Sequence, residues 1–270
     1  MIPNVLETLE VIAASGRTRC IFITNNSGKC RAEYVRKFSD LGIDKALGLT
    51  QEEMAKHLYT SAVGGAAEAV RRGCSNVLVV GSSGLATECR DVGLRVTRLD
   101  CEPHTGGDKL PGVMKNGDVD ESMDGVVVGF DGDMCYRKMA AAYRVIVGNG
   151  GVFVATNRDA AFPSEFGMAP GGGAFVAAIA HATGVEPFVG GKPSLGLLQT
   201  AAADHSFDPA TATMIGDRLD TDIAMGKAAG MQTILVLSGV TSEEVATNVA
   251  DDTAPDHVLR SFADLRAWYA

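Results

Sequence analysis

The chain is short of the features that announce a membrane, secreted or nucleic-acid-binding protein. No apolar run approaches the roughly 18 residues that span a bilayer. The opening stretch MIPNVLETLEVIAASG carries Glu7 and Glu10 and no basic start, so it does not read as a secretory signal. Positive charge is in deficit: 24 Lys and Arg face 33 Asp and Glu, a formal net charge of −9. That balance argues against nucleic acid or an anionic membrane as partner. It leaves room for a small anionic ligand, because local dipoles and one or two cations override the global field. The six cysteines, Cys20, Cys30, Cys74, Cys89, Cys101 and Cys135, form no CxxC pair and no Cys/His zinc spacing. The expectation is reduced thiols in a cytoplasmic protein. No internal repeat or low-complexity segment stands out.

What is present is an ordinary globular composition, 46% hydrophobic and 21% charged. At 270 residues the chain is long enough for one large domain or two ordinary ones. Val- and Ile-rich runs predict strands at 19–24, 76–81, 125–130, 152–156, 212–216 and 233–237. Between them, three-to-four-residue apolar spacing predicts helices that include 31–41, 136–147, 173–183 and 194–204. Strands apolar on both faces and separated by helices imply parallel sheets covered on both sides, an α/β protein. Gly64-Gly65, Gly106-Gly107 and Gly171–Gly173 mark expected loops or boundaries.

In open α/β sheets, ligands sit at the carboxyl ends of strands. Three strand ends here are unusually polar: Thr24-Asn25-Asn26-Ser27, Thr156-Asn157-Arg158-Asp159, and Gly216-Asp217-Arg218-Leu219-Asp220-Thr221-Asp222. The first, in IFITNNSGKCR, admits two readings. One is a plain turn, which asparagine tolerates. The other is a cradle of hydroxyl, amide and backbone N–H groups for a phosphate. The third packs three carboxylates into six residues. Asp220 could cap a following helix, with Asp222 in its first turn. Capping needs one acid, and three at one point repel unless a cation is present, so Mg²⁺ is the competing reading. In GGKPS, Pro193 suits a first helical position and the glycines allow close backbone approach. A lysine at a helix start opposes the dipole, so Lys192 points to an anion partner.

TNNS, GKPS and GDRLDTDI, in that order, resemble the later signature motifs of the haloacid-dehalogenase-like phosphatases. The chain looks most like the branch with a large inserted cap, which includes phosphoglycolate, 4-nitrophenyl and pyridoxal phosphatases. The resemblance covers nearly the whole chain; GDRLDTDI is its most specific part. It implies a doubly wound parallel-sheet core from residues 1–65 and 187–270, with an α/β cap domain inserted at 66–186. It implies that Thr24, Asn25 and Asn26 bind the transferring phosphoryl group and that Lys192 pairs with it and with the nucleophile. Asp217 would bind Mg²⁺ directly and Asp222 would support the site from nearby. Asn157 and Asp159 would shape the substrate pocket from a cap loop. The substrate would be a small phosphorylated metabolite of the phosphoglycolate or 4-nitrophenyl phosphate type, and a homodimer would form through the cap.

One part of the pattern is absent. The family's first motif, a strand followed by DxDG, supplies the aspartate that attacks phosphorus and forms an aspartyl-phosphate. No DxDG precedes TNNS. Asp131 and Asp133 in VVVGFDGD mimic it, but they fall where the resemblance puts the cap. In the family the first strand lies mid-sheet, and each backbone group left unpaired by its loss costs roughly 1–3 kcal/mol. The expectation is therefore a truncated sequence, weak or inactive as written. The alternative is a short form that has lost catalysis and binds a phosphorylated ligand or a partner.

Overall fold

The computed structural model describes residues 2–101, 117–250 and 253–269. Gly106-Gly107 lies outside the described residues. The chain divides into two compact units. The first comprises Met1–Ile23, Ala32–Tyr59 and Lys192–Ala270; the second comprises Thr24–Arg31 and Thr60–Gly191.

In the first unit, the strand Phe22–Thr24 lies beside Leu58–Thr60 in a two-stranded sheet. It is shorter than the apolar run 19–24, because the ladder opens only where Phe22 N donates to His57 O at 2.8 Å. Tyr34, Val35, Met54 and Leu58 form the core beneath it, with Phe22 and Phe38 packed on them. The helix Gln51–Lys56 starts on a capping box: the Thr50 hydroxyl accepts from Glu53 N, and Glu53 reaches back to Thr50 N. A separate parallel sheet places Gln232–Val236 between Thr213–Gly216 and His257–Leu259. Leu198, Met214, Met225 and Met231 form its core, with Ile23 packed against them.

The second unit is built on a five-stranded sheet, parallel throughout. Its spatial order is Arg95–Thr97, Asn76–Val80, Gly125–Val128, Val152–Ala155, Phe188–Val189. The first strand in the chain thus sits second in space, and the connections wind to both faces. Successive side chains take opposite sides. Leu78, Val80, Val126 and Val128 meet the helices Tyr136–Tyr143 and Gly172–Thr183. Val77, Val79, Val127 and Val154 meet Ser61–Arg71 and Ser83–Asp91. All five residues of Asn76–Val80 are buried, as a central parallel strand requires. An antiparallel hairpin, Ala161–Ser164 with Gly167–Pro170, stands apart.

Several expectations are corrected. Gly64-Gly65 lies inside the helix Ser61–Arg71, not in a loop. Its missing side chains let backbone approach: a Cβ on Gly65 would meet Thr156, and one on Gly190 would meet the Gly64-Gly65 peptide. The helix predicted at 136–147 closes in a π-turn at Arg144–Gly148. The cysteines are not all thiols, since Cys101 and Cys135, 34 residues apart, form a disulfide. Only the tertiary fold brings them together, which is why no spacing rule reveals the pair. Burial pushes the Cys74 thiol up to about 11 and the Cys89 thiol up to about 12, which keeps both unreactive. Among the described residues, no helix is long and apolar enough to cross a membrane.

Candidate functional site

In the first unit, the strand Thr213–Gly216 runs into the carboxylate-rich segment. Gly216 sits against Asp222, where a Cβ would collide with the carboxylate. Asp222 is the organising residue. Its Oδ2 accepts from Asp217 N at 3.2 Å and Arg218 N at 3.1 Å. Its Oδ1 lies 2.5 Å from Lys192 Nζ. Lys192 Nζ also donates to Ile23 O, at 2.9 Å. The pair is nearly dry, with side-chain exposures of 11% for Lys192 and 5% for Asp222. Lys192 is therefore held by a strand carbonyl and a buried carboxylate, a preorganised cation at the end of Phe22–Thr24.

The helix after Lys192 begins only at Gly196. Lys192-Pro193, joined by a cis peptide, precedes it in a turn, so Pro193 is not a first helical residue and Lys192 does not oppose a helix dipole. The anion argument for Lys192 rests on its carboxylate pairing instead. Asp220 is no cap either. It lies within the π-turn Leu219–Ile223, and both of its oxygens accept from the Arg218 guanidinium.

The three carboxylates of this segment are thus engaged differently. Asp220 is spent on Arg218, and Asp222 on Lys192 and two backbone N–H groups. Among the described residues, no group of three or more acidic, His or Cys side chains could hold a metal ion. Asp217 differs. Its Oδ2 accepts from Val240 N at 2.8 Å, and its backbone carbonyl accepts from Thr241 N at 3.1 Å. Its Oδ1 has no partner among the described residues. One free carboxylate oxygen suits Mg²⁺, which binds through one or two carboxylates with water and phosphate oxygens completing its shell. Sequence reasoning missed the buttress at Gly239-Val240, where a Cβ on Gly239 would strike the Asp217 carboxylate.

In the second unit, Thr24, Asn25 and Asn26 diverge in role. Asn26 is exposed and turns the chain: its Oδ1 accepts from Gly28 N at 2.8 Å, while its own N–H donates to Thr24 Oγ1 at 3.2 Å. Both are turn contacts, which asparagine commonly makes. Asn25 is 8% exposed and lies within a network. Its Nδ2 donates to Asp159 Oδ1 at 2.9 Å, and its backbone oxygen accepts from Asn157 Nδ2 and Ser61 Oγ, both at 2.6 Å. Asn157, 4% exposed, also accepts from Asp159 N at 3.0 Å. Asp131 is accounted for differently: its carboxylate is buried against Lys138 Nζ, at 2.8 and 3.0 Å.

Known proteins resemble this chain over nearly its whole length. Residues 1–95 match the model of the haloacid dehalogenase-like hydrolases, and residues 189–265 match the HAD-hydrolase-like model. Phosphoglycolate phosphatase 2 of Arabidopsis thaliana is 33% identical over 270 residues, covering 98% of this chain and 86% of that protein. The p-nitrophenyl phosphatase of Archaeoglobus fulgidus superposes with a TM-score of 0.80 at 28% identity, over 99% of this chain and 92% of its own. A glycerol phosphate phosphatase of Mycobacterium tuberculosis, in complex with magnesium, gives 0.71 at 32% identity, over 93% and 68%. The chain belongs to the haloacid dehalogenase-like hydrolases.

Proposed function

We propose that this chain carries the binding and charge-stabilising apparatus of a Mg²⁺-dependent phosphatase of small phosphomonoesters. The observation that carries the reading is the dry Lys192–Asp222 pair beside Asp217, whose free oxygen can take a metal. Lys192 offsets charge on the phosphoryl oxygens, and Asp222 fixes its position without competing for the ligand. Thr24, Asn25 and Asn26 supply hydroxyl and amide contacts to the phosphoryl group. Asp217 would hold Mg²⁺, which when bound supplies Lewis-acid stabilisation. Residues 66–186 serve as a cap on a core of 1–65 and 187–270. The relatives named for phosphoglycolate, p-nitrophenyl phosphate and glycerol phosphate make those esters the first to assay.

Within these 270 residues, no DxDG precedes TNNS. A polypeptide of these 270 residues is expected to show little turnover of 4-nitrophenyl phosphate with Mg²⁺. The same polypeptide extended by a strand ending in DxDG should hydrolyse it. In that form Lys192→Ala lowers kcat by roughly 100–1000-fold, while Asp217→Asn regains activity at high Mg²⁺. Turnover by the unextended chain that Asp217→Ala abolishes would mean the nucleophile lies elsewhere. A second reading is a phosphoester-binding protein of the same fold without catalysis. An extended form inactive on a broad ester panel would establish it.

For assembly, a homodimer through the cap is supported by an exposed face. Tyr136, Tyr143 and Val147 line a cavity of about 910 Å³ together with Glu121 and Arg144, neither of them paired among the described residues. A two-fold partner would oppose the two charges. Light scattering should give a dimer mass that Tyr143→Glu reduces to the monomer. A monomeric wild type removes the assembly.

A further inference from the structure

The segment Thr24–Arg31 belongs to the second unit, although the strand leading into it belongs mostly to the first. In a doubly wound sheet, the crevice at the carboxyl ends of the strands, where the order reverses, is the ordinary ligand position. In the second unit that reversal falls between Asn76–Val80 and Gly125–Val128. The chain's own loop occupies it. Ser82 Oγ donates to Ser27 O at 2.9 Å, and Phe130 N donates to Ser27 Oγ at 3.2 Å, from just past the ends of those two strands. A Cβ on Gly84 would collide with the Lys29-Cys30 backbone. Arg31 N donates to the Glu88 carboxylate, whose pKa burial pushes up. The next strand along, Val152–Ala155, ends in Thr156-Asn157 and delivers the Asn157 amide to Asn25 O. After Phe188–Val189, Gly191 packs so close that a Cβ would strike Asn25 Oδ1 and Thr156 O.

Asn157 and Asp159 are themselves held. The Asn157 side chain bridges Asp159 N and Asn25 O. Gly173 N donates to Asp159 O at 3.0 Å, and Gly171 and Gly173 lie where any Cβ would meet the Arg158 or Asp159 carbonyls. A fixed loop thus brings the Asp159 carboxylate onto Asn25 Nδ2. An acceptor on Nδ2 decides which way the Asn25 carboxamide faces, and Gly191 leaves room on its Oδ1 side.

We infer that Asn157 and Asp159 are positioning residues for the Thr24–Arg31 loop, setting its phosphate affinity through Asn25 rather than by touching the ligand. The inference rests on the phosphate-binding reading above. It makes the second unit's contribution one of orientation: the carboxyl edge of its sheet is used to hold a loop. The role of Asp159 is that of a hydrogen-bond acceptor, and its charge is not what the contact needs.

The test uses the 270-residue chain, with inorganic phosphate as probe in the presence of Mg²⁺. Isothermal titration is paired with hydrogen exchange of the 24–31 amides, and thermal melts establish that each variant is folded. Asp159→Ala should weaken phosphate binding by about tenfold or more and accelerate exchange across 24–31. Asp159→Asn keeps an acceptor oxygen and should preserve both within about threefold. Asn157→Ala should resemble Asp159→Ala. Wild-type affinity in Asp159→Ala, or equal damage from Asp159→Asn, overturns the inference, the latter because it would assign the effect to charge. If the wild type binds no phosphate, the phosphate-binding reading fails, and exchange alone then decides the positioning role. Acceleration in 24–31 that Asp159→Asn does not share supports it; unchanged exchange in Asp159→Ala removes it.

Discussion

Lys192 and Asp222 show how much one ion pair can organise. Asp222 neutralises a cation that is mostly out of water and satisfies the N–H groups of Asp217 and Arg218. Removing one partner of a buried pair leaves the other charge uncompensated, at a cost of roughly 3–5 kcal/mol. Asp222→Ala is therefore expected to lower the stability of the first unit by about that amount in urea titration. The double variant Lys192→Met/Asp222→Leu should recover most of it, since no lone charge remains. A loss under about 1 kcal/mol in the single variant would mean that Lys192 escapes to solvent. The neighbouring asparagines make the opposite point. Asn25 and Asn26 look alike in the sequence, yet one is buried in a network and the other turns the chain.

Among the elements, the last parallel strand is tied by a side chain as well as by its ladder. Asp256, just before His257–Leu259, accepts from Thr233 N at 2.8 Å and Thr233 Oγ1 at 2.7 Å on the adjacent strand, and from Lys227 Nζ at 2.8 Å. The Lys227 ammonium first, then Thr233, hold its carboxyl down at about 2. A carboxyl depressed in the folded state adds stability above its ordinary pKa of about 3.9, and that stability is lost as pH falls through the folded value. Asp256→Asn should therefore melt below the wild type at pH 7. The gap should close between about pH 4 and pH 2. A gap independent of pH would assign the contribution to shape rather than charge. The alternation of strands and helices, and six strand locations, could be read from apolar runs. Short strands such as Leu58–Thr60 and Phe188–Val189 could not, because three or two residues carry no period.

On the scale of the whole molecule, two compact units divide the chain at points that leave each with discontinuous segments. Long-range ties then matter within each unit. The Cys101–Cys135 disulfide closes a loop across 34 positions of the second unit. Beside it, Arg137 donates to Asp100 O at 3.1 Å and pairs with the Asp118 carboxylate at 2.5 and 2.8 Å. Cross-links of this kind restrict the unfolded chain and typically contribute about 2–4 kcal/mol. Reduction, or Cys101→Ser/Cys135→Ser, is expected to lower the urea midpoint of the second unit accordingly, leaving the Asp222→Ala effect on the first unit unchanged. A melt insensitive to a dithiol would show that the bridge does not form in solution.

The sequence by itself determined the α/β class, the family, and the order of the motifs TNNS, GKPS and GDRLDTDI. The class depends on local composition and periodicity, which a linear chain displays directly; the family follows from the resemblance of its motifs to known ones. It could not assign partners to the carboxylates. Three acids in six residues carry no sign of their partners: the fold gives Asp222 to Lys192 from 30 residues away, gives Asp220 to Arg218, and leaves one oxygen of Asp217 without a partner among the described residues. Nor could it attach the Thr24–Arg31 loop to a sheet whose strands begin at Asn76. A side chain's charge and length are written in the sequence. Which partner it meets depends on long-range closure of the chain, and burial then makes that one pairing far stronger than its competitors in water.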